Sequence, residues 1–469
     1  MNTKKYFRFR YISFCLIIFL LACNLCFSSQ LSISIQSLLE KYKLSRASVG
    51  ISILNASTGM EVFSHNSNKN YYPASNTKIL TAATALATLG NDFHFKTSLY
   101  FDKLLDNSTI NHLYLDLSGD PGFTSGDLFS MLQKLKDLGV KSINHISIVN
   151  RFFTGRDYPI NMSSTAQFFY YGAPSSIYNM NGNTMIFRVE GKNGKFQIKQ
   201  LSEPKYPVIN NLTQISGKSL CQFNGSVLAD NKVEFNGCMP NGKYQLKVSV
   251  SSPKLFMSNF IMSTLSSMGI TLESNVNTLY KIPNNVSLLV THKSPALPDM
   301  LNVMMLYSNN LYAQTFTRVL GYYTNGIGSI VSGKDAIIES LNKDLKIDTS
   351  SIQLEDGAGM SNNDLLSASL LTKTLYAIKY QKYGKEFISF LPVYGVSGTL
   401  KHRTNKGLTG NIHAKTGTGT TNIALSGYIQ SHKGKKYIFS ILMSNLSKQE
   451  FSSAYAFQDN LLSRIAQVS

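Results

Sequence analysis

The apolar positions change period along the chain, and each change marks an element. In 46–65 (RASVGISILNASTGMEVFSH), Val49, Ile51 and Ile53 alternate with small or polar residues, Ser57-Thr58-Gly59 supplies turn residues, and Val62-Phe63 begins a return. This pattern predicts a β-hairpin. After Pro73-Ala74-Ser75 the period lengthens: Ile79, Leu80, Ala83, Leu86 and Leu89 fall three and four apart, and Gly90 follows. That is an amphipathic helix with a glycine at its C-terminal cap. From about 93 to 290, short apolar segments such as 113–117 and 244–250 alternate with clusters of Asn, Gly, Ser and Pro. The stretch reads as mainly strand, with one helix near 125–138. Helical spacing returns over 297–321 and 335–344. The last sixty or so residues read as a strand at 411–416, a hairpin of 423–429 with 437–443, and a closing helix over 447–466.

These elements predict an α+β fold in discontinuous parts. Residues 29–95 and 291–469 form one domain, and 96–290 is an inserted, mainly β region read as two subdomains. Residues 1–28 read as an export signal: Lys4, Lys5, Arg8 and Arg10 precede an apolar run over 12–27, and Ser28-Ser29 suits cleavage. The run is short for a membrane span. Leu20-Leu21-Ala22-Cys23 is a loose lipobox, which makes lipid anchoring at Cys23 the alternative to a soluble exported protein. Either way the expected location is outside the cytoplasm, in the periplasm.

Composition sharpens this picture at three points. With 43% hydrophobic and 15% charged residues the chain is globular rather than disordered. Beyond the leader only Cys221 and Cys238 remain, with 16 residues between them. In an oxidising compartment such a pair predicts a disulfide, worth ~3 kcal/mol through the unfolded chain; it is too small a ligand set for zinc. The formal charge is +19, or +15 without the leader. An exported chain this basic is expected to associate with anionic surfaces such as lipid headgroups or cell-wall polymers. Nucleic acid is excluded by compartment and by the lack of any motif for it.

Three short segments carry the chemistry: Ser75-Asn76-Thr77-Lys78, Ser308-Asn309-Asn310 and Lys415-Thr416-Gly417. Ser75 and Lys78 lie three apart at a helix start, so their side chains share a face. A serine hydroxyl is a weak nucleophile that needs an adjacent base, and a lysine serves once burial lowers its pKa. Free N–H groups at a helix start favour developing negative charge. Lys415 beside Thr416 offers a cation and a hydroxyl to a carboxylate. Gly417 lets a ligand approach the backbone, and a strand edge there can pair with an extended peptide. Ser308-Asn309-Asn310 follows the helical 301–306 run and is expected in a turn facing the other two segments, where Ser308 can relay a proton and Asn310 can hold a substrate amide. A Ser-His-Asp hydrolase fits less well, because Gly395-Val396-Ser397-Gly398-Thr399 lacks the last glycine of a nucleophile elbow.

In this order the segments match the S-x-x-K, S-x-N and K-T-G set of active-serine, penicillin-acylated enzymes. The chain resembles the low-molecular-mass penicillin-binding proteins of class C, the D-alanyl-D-alanine carboxypeptidase/endopeptidases. The 230 residues from Lys78 to Ser308 leave room for that family's insertion. Asp356-Gly357-Ala358-Gly359-Met360-Ser361 resembles its D-G-S-G-L-S, and Gly395–Leu400 its G-V-x-G-T-L. The resemblance implies a penicillin-recognising, serine β-lactamase-like domain: an antiparallel sheet flanked by helices, with a helical subdomain. It implies peptidoglycan stem peptides as substrate, acylation by β-lactam antibiotics, and no metal or organic cofactor. Ser75 would be nucleophile and Lys78 base, with Ser308 as proton relay. The N–H groups of Ser75 and Thr418 would form the oxyanion hole, and Lys415, Thr416 and Thr418 would hold the terminal carboxylate. Ala358, Asn362 and Gly419 depart from the family pattern, the last suggesting a looser strand edge. Tyr307-Ser308-Asn309 also fits the Y-x-N motif of some β-lactamases and esterases. A β-lactamase or esterase on the same fold, and a non-catalytic wall-binding scaffold, are the competing readings.

Overall fold

A computed structural model describes residues 37–44, 46–215 and 221–468, so the leader and its lipobox lie outside the described residues. Its centre is a five-stranded antiparallel sheet built from both ends of the chain. The strands are β1 (Ser48–Asn55), β2 (Glu61–His65), β3 (Ile412–Thr418), β4 (Ile423–Gln430) and β5 (Lys436–Ser444), in spatial order β3-β4-β5-β1-β2. The predicted hairpin at 46–65 is β1 and β2, and β1 pairs on its other side with β5, Ile51 opposite Ile441.

Two cores lie on the two faces of this sheet. Val49, Ile51, Ile53, Phe439 and Ile441 pack with Phe457, Leu461 and Ile465 of the closing helix Phe451–Val468. Leu54, Ile438 and Leu442 belong to the larger core on the opposite face, together with Leu371 and Leu375 of helix Ala368–Lys379. Burial on both faces explains why β5 is apolar along almost its whole length.

The helical subdomain surrounds α1 (Lys78–Leu89). Every residue from Lys78 to Leu86 is buried. The run of Ala and Thr after Leu80 keeps this helix thin, so its neighbours approach from several sides. The helical run at 297–321 divides into α2 (Leu297–Leu306) and α3 (Asn310–Asn325). The cause is local. Asn309 Oδ1 accepts the Tyr312 N–H (3.2 Å) and starts a new helix as its N-cap, while Ser308 takes a left-handed φ of 56°. β3 also continues two residues past the expected 416 and carries Lys415 to Thr418.

The inserted region contains a six-stranded sheet in which Thr109–Leu117 and Ser142–Asn150 run parallel, joined through helix Ser125–Asp137. Ser287–Lys293 closes its far edge against Lys96–Phe101. Two three-stranded sheets follow, and Cys221 is bonded to Cys238. Helix Pro253–Ser267 escaped the sequence reading because Ser and Asn interrupt its apolar positions.

Arg318 of α3 ties residues 154–157 to the helical subdomain. It is fully buried, donates to the carbonyls of Thr154 (3.1 Å) and Arg156, and meets Asp157 Oδ1 at 3.2 Å. Arg318→Leu is expected to lower the unfolding free energy by about 3 kcal/mol, since it strands buried carbonyls and a carboxylate. Urea unfolding followed by circular dichroism measures this; a loss below about 1 kcal/mol would contradict the assigned role.

Candidate active site

Ser75 sits on a short 3₁₀ turn, Ala74–Thr77, that leads into α1. The turn is clamped from two directions. Asn76 Nδ2 donates to the Lys415 carbonyl on β3 (3.2 Å), and Thr77 Oγ1 donates to the Ala74 carbonyl (3.0 Å). On the other side, Gly359 stands so close that a Cβ there would lie 1.9 Å from the Ala74 oxygen, and its φ of 77° suits only glycine.

Lys78 is the hub. Its Nζ lies 2.8 Å from Ser75 Oγ, 2.6 Å from Asn310 Oδ1 and 2.7 Å from the Ala358 carbonyl oxygen. Burial pushes the amine from its ordinary value of 10.5 down to about 7, against a smaller upward pull from Asp356 and Asp364. Asn310 Oδ1 and the Ala358 oxygen can only accept. A neutral amine has two N–H donors and one lone pair, so those two oxygens take both donors and the lone pair is left facing the Ser75 hydroxyl. An amine so placed can take a proton from the Ser75 hydroxyl.

Each partner of Lys78 is itself fixed. Asn310 Nδ2 donates to the Tyr171 carbonyl of the inserted region (2.8 Å) and contacts Met360 Sδ, so its oxygen must face the lysine. Ala358 belongs to a loop wrapped around the buried Asp356 carboxylate, which accepts the N–H groups of Ala358, Gly359, Met360 and Ser361 at 2.7–3.2 Å. Asp364 lies behind it, where burial and the neighbouring Asp356 hold its carboxyl well above the usual range.

The second lysine faces the second serine. Lys415 Nζ donates to Ser308 Oγ (2.9 Å) and to the Thr416 carbonyl (2.8 Å). Burial first, and the nearby Lys78 second, hold this amine well below its ordinary value. An arriving carboxylate would push it back up. Thr416 Oγ1 pairs with Thr399 Oγ1 at 2.7 Å, and Thr418 Oγ1 with the Tyr455 hydroxyl at 3.1 Å.

β3 is an edge strand, and its outer edge is only partly covered. The Ala414 N–H donates to the Pro392 carbonyl, and the Ile412 carbonyl accepts from Tyr394. Alternation therefore turns the backbone groups of Thr416 and Thr418 to the same free edge. At Gly417 a Cβ would come within 2.7 Å of the Pro73 oxygen, so the glycine permits the close packing of β3 on the Ser75 turn. Gly419 does not loosen this edge: its N–H donates to the Asn422 carbonyl, and Asn422 Nδ2 donates to the Tyr72 carbonyl.

Ser75, Lys78, Ser308, Asn310, Lys415 and Thr416 thus converge from three distant segments, with Gly417 and Thr418 continuing along the edge. Of the two registers open at 307–310, Ser308 and Asn310 point into the cluster, Asn309 is spent as a helix cap, and Tyr307 is 67% exposed. Cys221 and Cys238 belong to the insertion. Tyr171 had no sequence signal, because its backbone oxygen rather than its side chain makes the contact. Asp356 and Thr399 lay inside family-like stretches but had no role attached to them.

Residues 31–465 match the family model described as D-Ala-D-Ala carboxypeptidase 3 (S13). The chain is 25% identical over 448 residues to the D-alanyl-D-alanine carboxypeptidase DacB of Haemophilus influenzae, covering 93% of each. It is 26% identical over 462 residues to the D-alanyl-D-alanine carboxypeptidase of an Actinomadura species, covering 94% of this chain and 85% of that one. The fold superposes on the crystal structure of penicillin binding protein 4 (dacB) from Haemophilus influenzae with a TM-score of 0.85 at 23% identity, over 92% of this chain and 99% of that one. With a family match running nearly end to end and three converging segments of active-serine type, the chain belongs to the D-Ala-D-Ala carboxypeptidase 3 (S13) family.

Proposed function

We propose that the protein is an exported serine D-alanyl-D-alanine carboxypeptidase that trims peptidoglycan stem peptides, cuts D-alanyl cross-links, and is acylated by β-lactams at Ser75. The observation that carries this reading is the contact set of Lys78: two acceptor oxygens and one serine hydroxyl around an amine that burial brings to about 7. The Cys221–Cys238 disulfide supports an oxidising compartment, hence the periplasm. The division into a catalytic domain and an insertion is part of the same reading, with the expected boundary at 290 moved to the end of strand Ser287–Lys293, which pairs within the insertion's sheet.

In this mechanism the substrate lies along the free edge of β3 as an added strand. Its terminal carboxylate meets Lys415, Thr416 and Thr418, and its scissile carbonyl oxygen points between the N–H groups of Ser75 and Thr418. Two such donors stabilise the developing oxyanion by roughly 3 kcal/mol each. Ser75 Oγ attacks the carbonyl carbon as its proton passes to the Lys78 lone pair. The tetrahedral intermediate collapses by breaking the C–N bond. The departing D-alanine nitrogen takes, by way of Ser308, the proton that Lys78 received, which returns the amine to its neutral form. Water, losing its proton to that amine, then hydrolyses the ester. A β-lactam follows the same first step, but its leaving nitrogen stays tethered.

Three outcomes are expected. Brief exposure to penicillin should add one drug mass to the wild type and none to Ser75→Ala, read by intact-protein mass spectrometry; an adduct on folded Ser75→Ala would overturn the assignment. The acylation rate should rise with pH through a limb near 7, because a neutral Lys78 is required and its pKa is depressed to about 7; a flat profile from pH 5 to 9 would count against a lysine base. Ser308→Ala should lower kcat/KM for D-alanine release by about a hundredfold, whereas Tyr307→Phe should stay within about twofold. The reverse ranking would move the proton relay to Tyr307.

A further inference from the structure

The insertion carries a charge pattern that the reaction does not use. Strands Thr184–Lys192, Lys195–Gln200 and Gly242–Ser249 form an antiparallel sheet with Thr184–Lys192 in the middle. The register sets Arg188 between Lys199 and Gln245, Glu190 between Gln197 and Lys243, Lys192 opposite Lys195, and Lys247 opposite Ile186. Residues directly opposed across a ladder project from the same face. One face therefore holds Arg188, Lys192, Lys195, Lys199, Lys243 and Lys247 against a single carboxylate, Glu190. Its reverse is core: Phe187, Val189, Phe196 and Val248 are buried, with Phe187 packed on Phe235.

All six cations are exposed, and none pairs with a carboxylate among the described residues. Like charges opposed across a ladder repel, as Arg188–Lys199 and Lys192–Lys195 do here. A solvent face tuned only for solubility intersperses the two signs; this one keeps six positive charges together. An anion lying across the strands would relieve both repulsions at once.

Shape adds to charge. A groove of about 610 Å³ runs along Arg188, Glu190, Gln197 and Lys199, so two of the six cations and the one carboxylate line it, and it is flanked by Val208 and Asn210 of the next sheet. Its position relative to the reaction is also set. Val248 bridges to Phe169, Ser249 Oγ donates to the Gln167 carbonyl, and two residues beyond Phe169 the Tyr171 carbonyl holds Asn310. Lys247 thus marks the end of the face nearest the catalytic cluster, and Lys243 lies ~13 Å farther out at strand spacing.

We propose that this cationic face binds the carboxylate-bearing peptidoglycan polymer at a distance from the bond being cut. It would hold neighbouring stem peptides while one of them occupies the Ser75 cleft. The inference rests on the substrate class proposed above. Cations interleaved with the side-chain amides of Gln197 and Gln245 suit a chain in which carboxylates alternate with peptide groups. A planar lipid surface would leave the groove unfilled.

The test uses Ser75→Ala full-length protein, so that binding is read without turnover. Co-sedimentation with purified peptidoglycan sacculi is measured with and without Lys195→Glu/Lys199→Glu/Lys243→Glu. The parent should bind and be released by salt, and the triple variant should bind at least about tenfold more weakly. The corresponding lysine-to-glutamine set should fall between them, which separates loss of charge from any damage caused by reversal. Penicillin acylation of the triple variant with Ser75 restored serves as the folding control and should match wild type. Equal sedimentation of parent and both variants would overturn the proposal. So would a loss confined to anionic phospholipid vesicles, which would assign the face to a membrane. Failure of the catalytic reading would appear elsewhere, as wild-type protein that takes no penicillin adduct.

Discussion

Removing an amine from water without giving it a touching counter-charge is the constraint on which this architecture turns. Lys78 is fully buried, and its three contacts are a hydroxyl, an amide oxygen and a peptide oxygen. None neutralises a positive charge, so desolvation favours the uncharged form. The two carboxylates that pull the other way, Asp356 and Asp364, act from behind the 356–361 loop rather than by contact. Had either touched Nζ, the amine would stay charged and the lone pair would not exist at neutral pH. Asp356 instead spends its oxygens on four backbone N–H groups and so shapes the loop that presents the Ala358 carbonyl.

The same constraint makes the insertion part of the site. The amide of Asn310 can turn either end toward Lys78, and a donor there would compete with the serine for the lone pair. The Tyr171 carbonyl, reached from the insertion, decides the orientation by accepting from Nδ2. Arg318, eight residues farther along the same helix, fastens that helix to the segment 154–157. Helix α3 therefore holds residues 154–157 and 171 against the Lys78 cluster, beside further contacts such as Thr154 N–H to the Gly328 carbonyl.

Much of this was legible in the sequence, for identifiable reasons. The hairpin of β1 and β2, the helix after Ser75 and the strands around 423–443 all carry clean periodicity, since each buries a defined face. The S-x-x-K and K-T-G segments were legible because their chemistry demands particular residue types. The break at 307–309 was legible as a turn after the Leu301–Leu306 run, although the wider rhythm over 297–321 reads as one helix; the cap made by Asn309 sets where the second helix starts. Contacts made by backbone oxygens, at Ala358 and Tyr171, leave no trace in residue type. The effect of Gly419 was misjudged because its partner, Asn422, pins the turn through a main-chain bond.

The strand order also has a consequence in time. β1 is the first strand of the sheet in sequence, yet it lies between β2 and β5, with Ser48 paired to Ser444. The Ser75 turn rests on β3 and β4, which also come from the chain's last stretch. Contacts of such sequence separation form late, after the entropy of closing a long loop has been met. An emerging chain therefore already contains Ser75 and Lys78 but lacks the β3 side of the clamp on their turn. Reactivity is withheld until the C-terminal strands arrive, so a truncated or half-delivered polypeptide would be inert rather than partly active.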